Sequence, residues 1–441
     1  MVPYLTKTLI LFLFVITPIY PSLGGIHRAP IIIPAWKVKR ISGYELEQYR
    51  VFRSSPTGKA VTIPFQIDEM NSVGDFVLPK GLAPNHNTGN KIFDVYDELS
   101  IMGQDIGPNK EPTVWDFDPP TYLYQLTFSK NGKSGAIYIG VYFKNAPPLS
   151  QKKYIIFDSK EGNIRTSRYN YKFDNKNHLI TKSISLQDKK TNSSGKELID
   201  SSTFAMKADL KYFLTLKANH RSVESRQEAW KSGPIRTIIR VDFVYNFLKL
   251  KIKIGMYTEV SFFANAVVLP AIIYNPLDSK NLNSGSSFYY GFKLVDNPSS
   301  LNIQTNMPKW KPESLFDILL TKNKKQSKYW VSMHNNDAML YFELILSKQM
   351  INIENIPKLY QKNIDGPAFT NISNDKIFDI ENSPINIGIH FDLKKFNKGD
   401  NLIAFYLFFE NEKNLKQLEE MKNRHLWQYT LKRIPISKQK Q

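Results

Sequence analysis

Two short stretches hold the acid chemistry of this chain. "IPFQIDEM" ends an apolar alternation on Asp68 and Glu69, and "FDVYDELSIMGQDIG" carries Asp97, Glu98 and Asp105. Period-two spacing puts Ile63, Phe65 and Ile67 on one strand face and Gln66 and Asp68 on the other. Leu99 and Ile101 mark a second strand. If the two strands pair, carboxylates collect at one sheet edge and repel unless something positive sits among them. A Ca²⁺ ion, an arginine or a hydroxyl-rich ligand would each serve. Acids and glycines also mark strand ends and turns, so a purely structural role stands beside the ligand-binding one. Neither cluster has the alternating oxygen ligands and glycine of an EF-hand loop, and no metal site is assigned.

Cations of the matching kind lie in "EAWKSGPIRTIIRVDF". Gly233–Pro234 starts a strand abruptly, and Arg236 and Arg240 then fall on one face. Planar guanidinium groups there suit a carboxylated or phosphorylated ligand, or pair internally with Glu224, Glu228 or Asp242. Trp230, just before them, offers a stacking surface or packs on the sheet. A lyase acting on uronic acids needs a base and a group that neutralises the carboxylate. His220, Tyr257 and Tyr289, with Arg236, are the types required. The seven histidines are isolated, with no pair at metal-ligand spacing. Walker A, GxGxxG, HExxH, CxxC and GxSxG motifs are absent, and no organic cofactor is implied.

The elements that must position these residues are strands. "LKLKIKIG" alternates Leu248, Leu250, Ile252 and Ile254 with lysines, the pattern of a half-buried strand. "YNYKFDNKNHLITKSISL" reads as a hairpin around Asn175–Asn177, and "KYWVSMHNNDAMLYFELIL" as another turning at Asn335–Asp337. "PINIGIHFDLKKFNKGDNLIAFYLFFE" reads as a third pair connected through Gly399 and Asp400. Helical spacing is confined to Leu415, Leu418 and Met421 in "NEKNLKQLEEMKNRHLW", with a short turn at "KPESLFDILL". The expected fold is mainly β: an antiparallel, super-sandwich-like β-sandwich with a smaller N-terminal β-domain and a C-terminal helix. The expected boundaries are a signal peptide over 1–24, the N-terminal domain over 25–145, the large sandwich over 146–410, and the helix and basic tail over 411–441.

The first residues set the expected location. Lys7 precedes an apolar run from Leu9 to Ile16, then Pro18, Pro21 and small residues, in the order of a secretory signal peptide cleaved after Gly24. The run is too short for a membrane anchor, and no later segment suits a membrane-spanning helix. The expectation is an exported protein, periplasmic or extracellular. The chain has no cysteine, so no disulfide stabilises it and no lipid is carried on a cysteine. Its net charge of +19 would suggest nucleic acid in the cytosol. For an exported chain the anionic neighbours are lipopolysaccharide, acidic polysaccharide or phospholipid headgroups, and no nucleic-acid partner is expected. Most of the lysines are scattered, as they would also be under a compositional bias toward Lys, Asn and Ile.

The run "YRVFRSSPTGKAVTIPFQIDEM … DVYDELSIMGQDIG", with "GPIR" and "SGSSFYYGFKL" further on, resembles a group of exported bacterial proteins of unknown function. That group carries "VPxQxDE", "DELxFMxxDxG" and "GPxR" segments. It is distantly similar to an uncharacterised, carbohydrate-linked family with a galactose mutarotase-like super-sandwich, although Asp68–Glu69 stands where that family has two aspartates. The resemblance implies a fold, with no defined catalytic residue. Three functions are carried forward: a carbohydrate- or envelope-binding protein, a glycan-active enzyme of the lyase or mutarotase kind, and a structural partner of other envelope proteins.

Overall fold

The computed structural model describes residues 29–130, 133–174, 177–178, 181–187, 194–211, 215–219, 223–247, 250–275, 278–295, 302–305, 328–334, 339–352, 358–361, 386–410 and 428–435. The expected signal peptide, the turn at "KPESLFDILL", the helix through Leu415 and Met421, and His220 lie outside these residues. Among the described residues no helix is long and apolar enough to cross a membrane.

Two small sheets build the N-terminal domain. One has the order β1 (Pro30–Pro34), β6 (Glu98–Met102), β4 (Phe65–Asp68). The other runs β26 (Gln428–Ile434), β7 (Tyr122–Lys130), β8 (Lys133–Val141), β2 (Tyr49–Ser54), β3 (Ala60–Thr62). Ile33, Leu99 and Ile101 from the first share one apolar core with Val51, Leu126, Phe128, Ile137 and Ile139 from the second. Each contributes alternate residues, so the period-two pattern is the cause of the packing.

Two larger sheets follow. The first has the order β23 (Lys358–Gln361), β24 (Asn386–Asp392), β19 (Ser287–Leu294), β13 (Ser194–Asp209), β12 (Thr181–Gln187), β11 (Tyr169–Phe173), β10 (Asn163–Thr166), β9 (Ile155–Asp158), with β14 (Thr215–Asn219) paired to β13. The second has the order β20 (Asn302–Thr305), β21 (Lys328–His334), β22 (Met339–Leu346), β25 (Gly399–Glu410), β18 (Ala266–Asn275), β17 (Leu250–Phe263), β16 (Arg236–Phe247), β15 (Val223–Ser232), β5 (Lys80–Gly81). The inner faces of both enter a single core. Rings bridge it: Tyr169 stacks on Phe409 at 4.2 Å, and Tyr171 meets Phe262 edge-on at 5.3 Å. Such pairs add about 0.5–1.5 kcal/mol each beyond their burial. Pairings between these strands are antiparallel, and the sheets pack face to face.

The structure departs from the sequence reading in two places. The hairpins β11–β12 and β21–β22 form as expected, but β24 and β25 do not pair. β24 lies between β19 and β23 in one sheet, while β25 lies between β18 and β22 in the other. A three-residue 3₁₀ turn at Leu393–Lys395 separates them, and the chain crosses the sandwich there. Leu393 and Phe396 are buried in the core on the way over, whereas a tight hairpin would have kept this connection at the surface. The second departure is β26. Residues 428–434 are neither helix nor tail but a strand paired with Leu123–Ser129 of β7, so the C-terminal part of the chain completes the N-terminal domain.

The two domains are joined at the edge of the second large sheet. β5 pairs with Ala229 and Trp230 of β15 and covers what would otherwise be a free strand edge. Gly81 is required there. Its φ is +120°, and a Cβ would run into the backbone of Glu228 and Ala229.

Candidate functional site

β4 and β6 pair antiparallel, with Asp68 opposite Glu98 and Gln66 opposite Ser100. One acid of each motif, Asp68 and Glu98, therefore meets the other at one sheet end. Arg236, at the first position of β16, lies between them. Its Nε donates to Asp68 Oδ2 at 2.6 Å and its Nη2 to Glu98 Oε2 at 2.7 Å. Lys231 Nζ lies 3.1 Å from Asp68 Oδ1 and donates to the Ile67 carbonyl at 2.7 Å. Gln66 donates to Asp68 Oδ1 at 2.8 Å and accepts from the backbone N–H groups of Ile235 and Arg236. The guanidinium lies between the Phe76 and Phe263 rings, 4.9 and 5.7 Å from their centres.

Asp68 has no exposed surface, and Arg236 has 2 %. Burial by itself would raise the Asp68 carboxyl, but the Arg236 and Lys231 charges and the hydrogen bonds outweigh it and hold it below the usual carboxylate range. Arg236, which burial alone would lower, is held up by the same two carboxylates. The positive charge that the carboxylates require is thus a side chain of this protein. Gly233 explains the "GPIR" spelling: a Cβ there would collide with the Gln66 amide, so the glycine lets β16 begin against β4. The motifs that carry the resemblance weld the N-terminal domain to the sandwich.

The remaining acids are in separate places. The Asp97 side chain accepts from the N–H groups of Met70 at 2.8 Å and Asp94 at 2.9 Å, and it pins the 94–97 turn to the end of β4. Burial pushes its carboxyl up to about 6, against the two backbone hydrogen bonds and with help from the Asp94 and Glu69 charges. Glu69 accepts from the N–H groups of Asn90 and Lys91, the latter at 2.6 Å. Asp105 accepts from the Tyr154 hydroxyl at 2.6 Å and from Lys152 at 3.1 Å, which ties the connector after β8 to the N-terminal domain. Each carboxylate thus has its own partners, and the five do not open on one chamber. Among the described residues no group of three His, Cys, Asp or Glu side chains is placed to hold a metal ion.

Arg240 lies two pleats further along β16 on the same strand face, where Glu259 Oε1 accepts from its Nη2 at 2.6 Å and its Nε at 3.0 Å. Trp230 packs against the sandwich core and meets Phe157 edge-on at 5.0 Å, with Lys80 Nζ 4.9 Å from its ring centre. Tyr289 is buried in β19 beneath Gly388, where any Cβ would strike its ring. Tyr257 lies in β17 opposite Asp242. A cavity of about 40 Å³ between the large sheets is lined by Tyr171, Phe173, His178, Phe243, Phe262 and other apolar groups. It has room for a water-sized molecule, far below the 300–1,000 Å³ of ordinary ligand pockets.

An exposed group that the sequence reading passed over lies at the open edge of the N-terminal domain. Trp36, just after β1, is 56 % exposed, as is Tyr96, beside the Asp97 carbonyl that accepts from Ala35 N–H. Lys37 Nζ lies 5.1 Å from the Trp36 ring centre and 5.5 Å from that of Tyr429 on β26. Further along, Tyr44, Tyr122 and Phe143 form a mutual cluster with ring centres 5.6–5.9 Å apart. Phe143 is 51 % exposed, and Arg433 stands 4.7 Å over the Tyr122 ring. Tyr429 and Arg433 share one face of β26, so the two groups lie along a single strand edge. The dipeptide Trp36–Lys37, following the proline-bounded β1, was the visible signal. Its partners come from residues 44, 122, 143 and 429–433, which no local pattern connects.

No protein-family model matches the chain, and no curated protein matches it in sequence. Among solved structures it is similar to an alpha-mannosidase from Enterococcus faecalis V583, with a TM-score of 0.42 and 9 % identity over 93 % of this chain and 45 % of that one. It is similar also to a protein in the glycosyl hydrolase family 38 from Enterococcus faecalis, with a TM-score of 0.39 and 10 % identity over 93 % and 46 %. A gh92 family glycosyl hydrolase gives a TM-score of 0.26 and 8 % identity over 59 % and 30 %. The chain spans less than half the length of each of these proteins.

Proposed function

We propose that this is an exported envelope protein, periplasmic or extracellular, that binds glycan chains without transforming them, through the open edge of its N-terminal domain. The observation that carries the reading is the pair of exposed rings beside β26, Trp36 and Phe143, each set against half-buried tyrosines that pack on the core, Tyr429 for the first and Tyr44 with Tyr122 for the second. Aromatic faces at a surface offer large flat apolar area for the faces of sugar rings. The large sandwich then acts as the support, and the Asp68–Arg236–Glu98 joint holds the binding domain at one angle to it. Binding is favoured over turnover because Arg236 and Tyr289, two of the types a uronate lyase uses, are enclosed and the guanidinium is already committed. The direct test is binding of the chain from residue 25 onward to a panel of oligosaccharides at high salt, beside Trp36→Ala and Phe143→Ala variants. Binding that either substitution weakens at least tenfold supports the reading. Equal binding by all three proteins, or none, overturns it, and the latter favours a structural partner of other envelope proteins.

A further inference from the structure

Resting on that reading, the inference concerns which glycans the edge takes. Lys37 and Arg433 are the cations of the aromatic edge, and among the described residues neither has a carboxylate within ion-pair distance. At the joint, by contrast, Arg236 is committed to Asp68 and Glu98, Lys231 to Asp68, Arg240 to Glu259 and Lys152 to Asp105. Among the described residues Lys37 and Arg433 are held against ring faces, by interactions worth little at an exposed site, so an incoming anion draws them away at small cost. Their positions are set by β26. Lys37 faces Tyr429 and Arg433 faces Tyr122, and four strand residues separate 429 from 433, about 13 Å. That span exceeds one sugar ring, with the exposed rings of Trp36 and Phe143 toward its two ends and the half-buried Tyr429 and Leu431 packed on the core beneath.

We infer that the edge recognises an anionic glycan, carboxylated or phosphorylated, with acidic groups on separate sugar units read by Lys37 at one end and Arg433 at the other. The rings hold the sugar faces, and the two cations select the charge. Guanidinium and ammonium groups form charge-assisted hydrogen bonds to either acid, roughly twice as strong as neutral ones. The joint spacing requires a chain of sugars, so a single charged monosaccharide gains only one of the two contacts.

The test uses an oligogalacturonate, the same oligosaccharide with its carboxyls methyl-esterified, a phosphorylated oligosaccharide of similar length, and vesicles of anionic phospholipid. Lys37→Gln and Arg433→Gln remove charge and keep the rings, and Lys211→Gln removes an exposed lysine elsewhere. The expected result, at an ionic strength that screens scattered surface charge, is a loss of about tenfold in oligogalacturonate affinity for Lys37→Gln and for Arg433→Gln. The esterified oligosaccharide is expected to bind more weakly than the acid and to be indifferent to both substitutions. Preference for the phosphorylated chain over the uronate assigns the acid without altering the site. Equal affinity for acid and ester overturns the inference and leaves glycan binding standing. Equal loss in Lys211→Gln overturns it as diffuse attraction, and binding to vesicles alone overturns it in favour of a lipid surface. Absence of binding to any of the sugars overturns the functional reading itself.

Discussion

Replacing Arg236 by Met tests the interdomain joint. The change keeps the apolar stem between Phe76 and Phe263 and removes the charge. Asp68, with no exposed surface, then keeps Lys231 and Gln66 but loses its 2.6 Å partner. Glu98, whose side chain is 22 % exposed, is free to hydrate. Removing one partner of a buried ion pair costs about 3–5 kcal/mol, and the residual Lys231 contact and the partial exposure of Glu98 place the expected loss near the lower end. The pH dependence follows from the sign of the shift. In the native protein the Asp68 carboxyl is held below its usual value. The stability it contributes is therefore complete above its unfolded pKa, about 4, and is lost as pH falls through the lower folded pKa. In Arg236→Met burial dominates instead, so the carboxyl moves upward and the penalty shrinks as the pH falls toward 4. Urea unfolding followed by tryptophan fluorescence at pH 7 and pH 4.5 measures both effects. Because two domains are involved, the variant is also expected to show separate transitions, the N-terminal domain releasing first. A loss under about 1 kcal/mol would match an ordinary surface ion pair. That outcome, or a loss equal at both pH values, would refute the assignment of Arg236 as the buried centre of the joint.

Two further outcomes follow from the same geometry. Gly233→Ala is expected to destabilise by about 1–3 kcal/mol through overpacking against Gln66, and in a Gln66→Ala background the same substitution should cost much less, which a double-mutant cycle by urea unfolding checks. Asp97 is expected to titrate near pH 6 by carboxyl NMR. Because its folded pKa lies above its unfolded one, its contribution is fully present below about pH 4 and is lost as pH rises through 6; a midpoint near 4 would contradict its enclosure.

Much of the architecture was legible locally. Alternation in "YNYKF" specifies a strand because a half-buried sheet demands period two, the continuous apolar run "MLYFELIL" specifies one buried on both faces, and the turn residues between such runs specify hairpins. The same rule misled at β24 and β25. Two adjacent strands with a glycine-bearing connection look like a hairpin in sequence, yet which sheet each joins depends on where the apolar face is buried. β26 was illegible for a related reason: its partner, β7, lies some three hundred residues away, and only closure of the whole chain brings them together.

The candidate site divides in the same way. From residue types and spacing alone, the sequence determined that carboxylates would gather where two strands end and that a positive charge would be needed among them. It contained the arginine as well, 168 residues from Asp68, with nothing local to say whether that guanidinium faced solvent or acid. The tertiary structure decided this, because burial turns a pair of complementary charges from a surface able to bind a ligand into a joint. It also decided the reverse case. Trp36, Phe143 and Arg433 look like ordinary core and surface residues in sequence and become one edge only when β26 returns to the domain where the chain began.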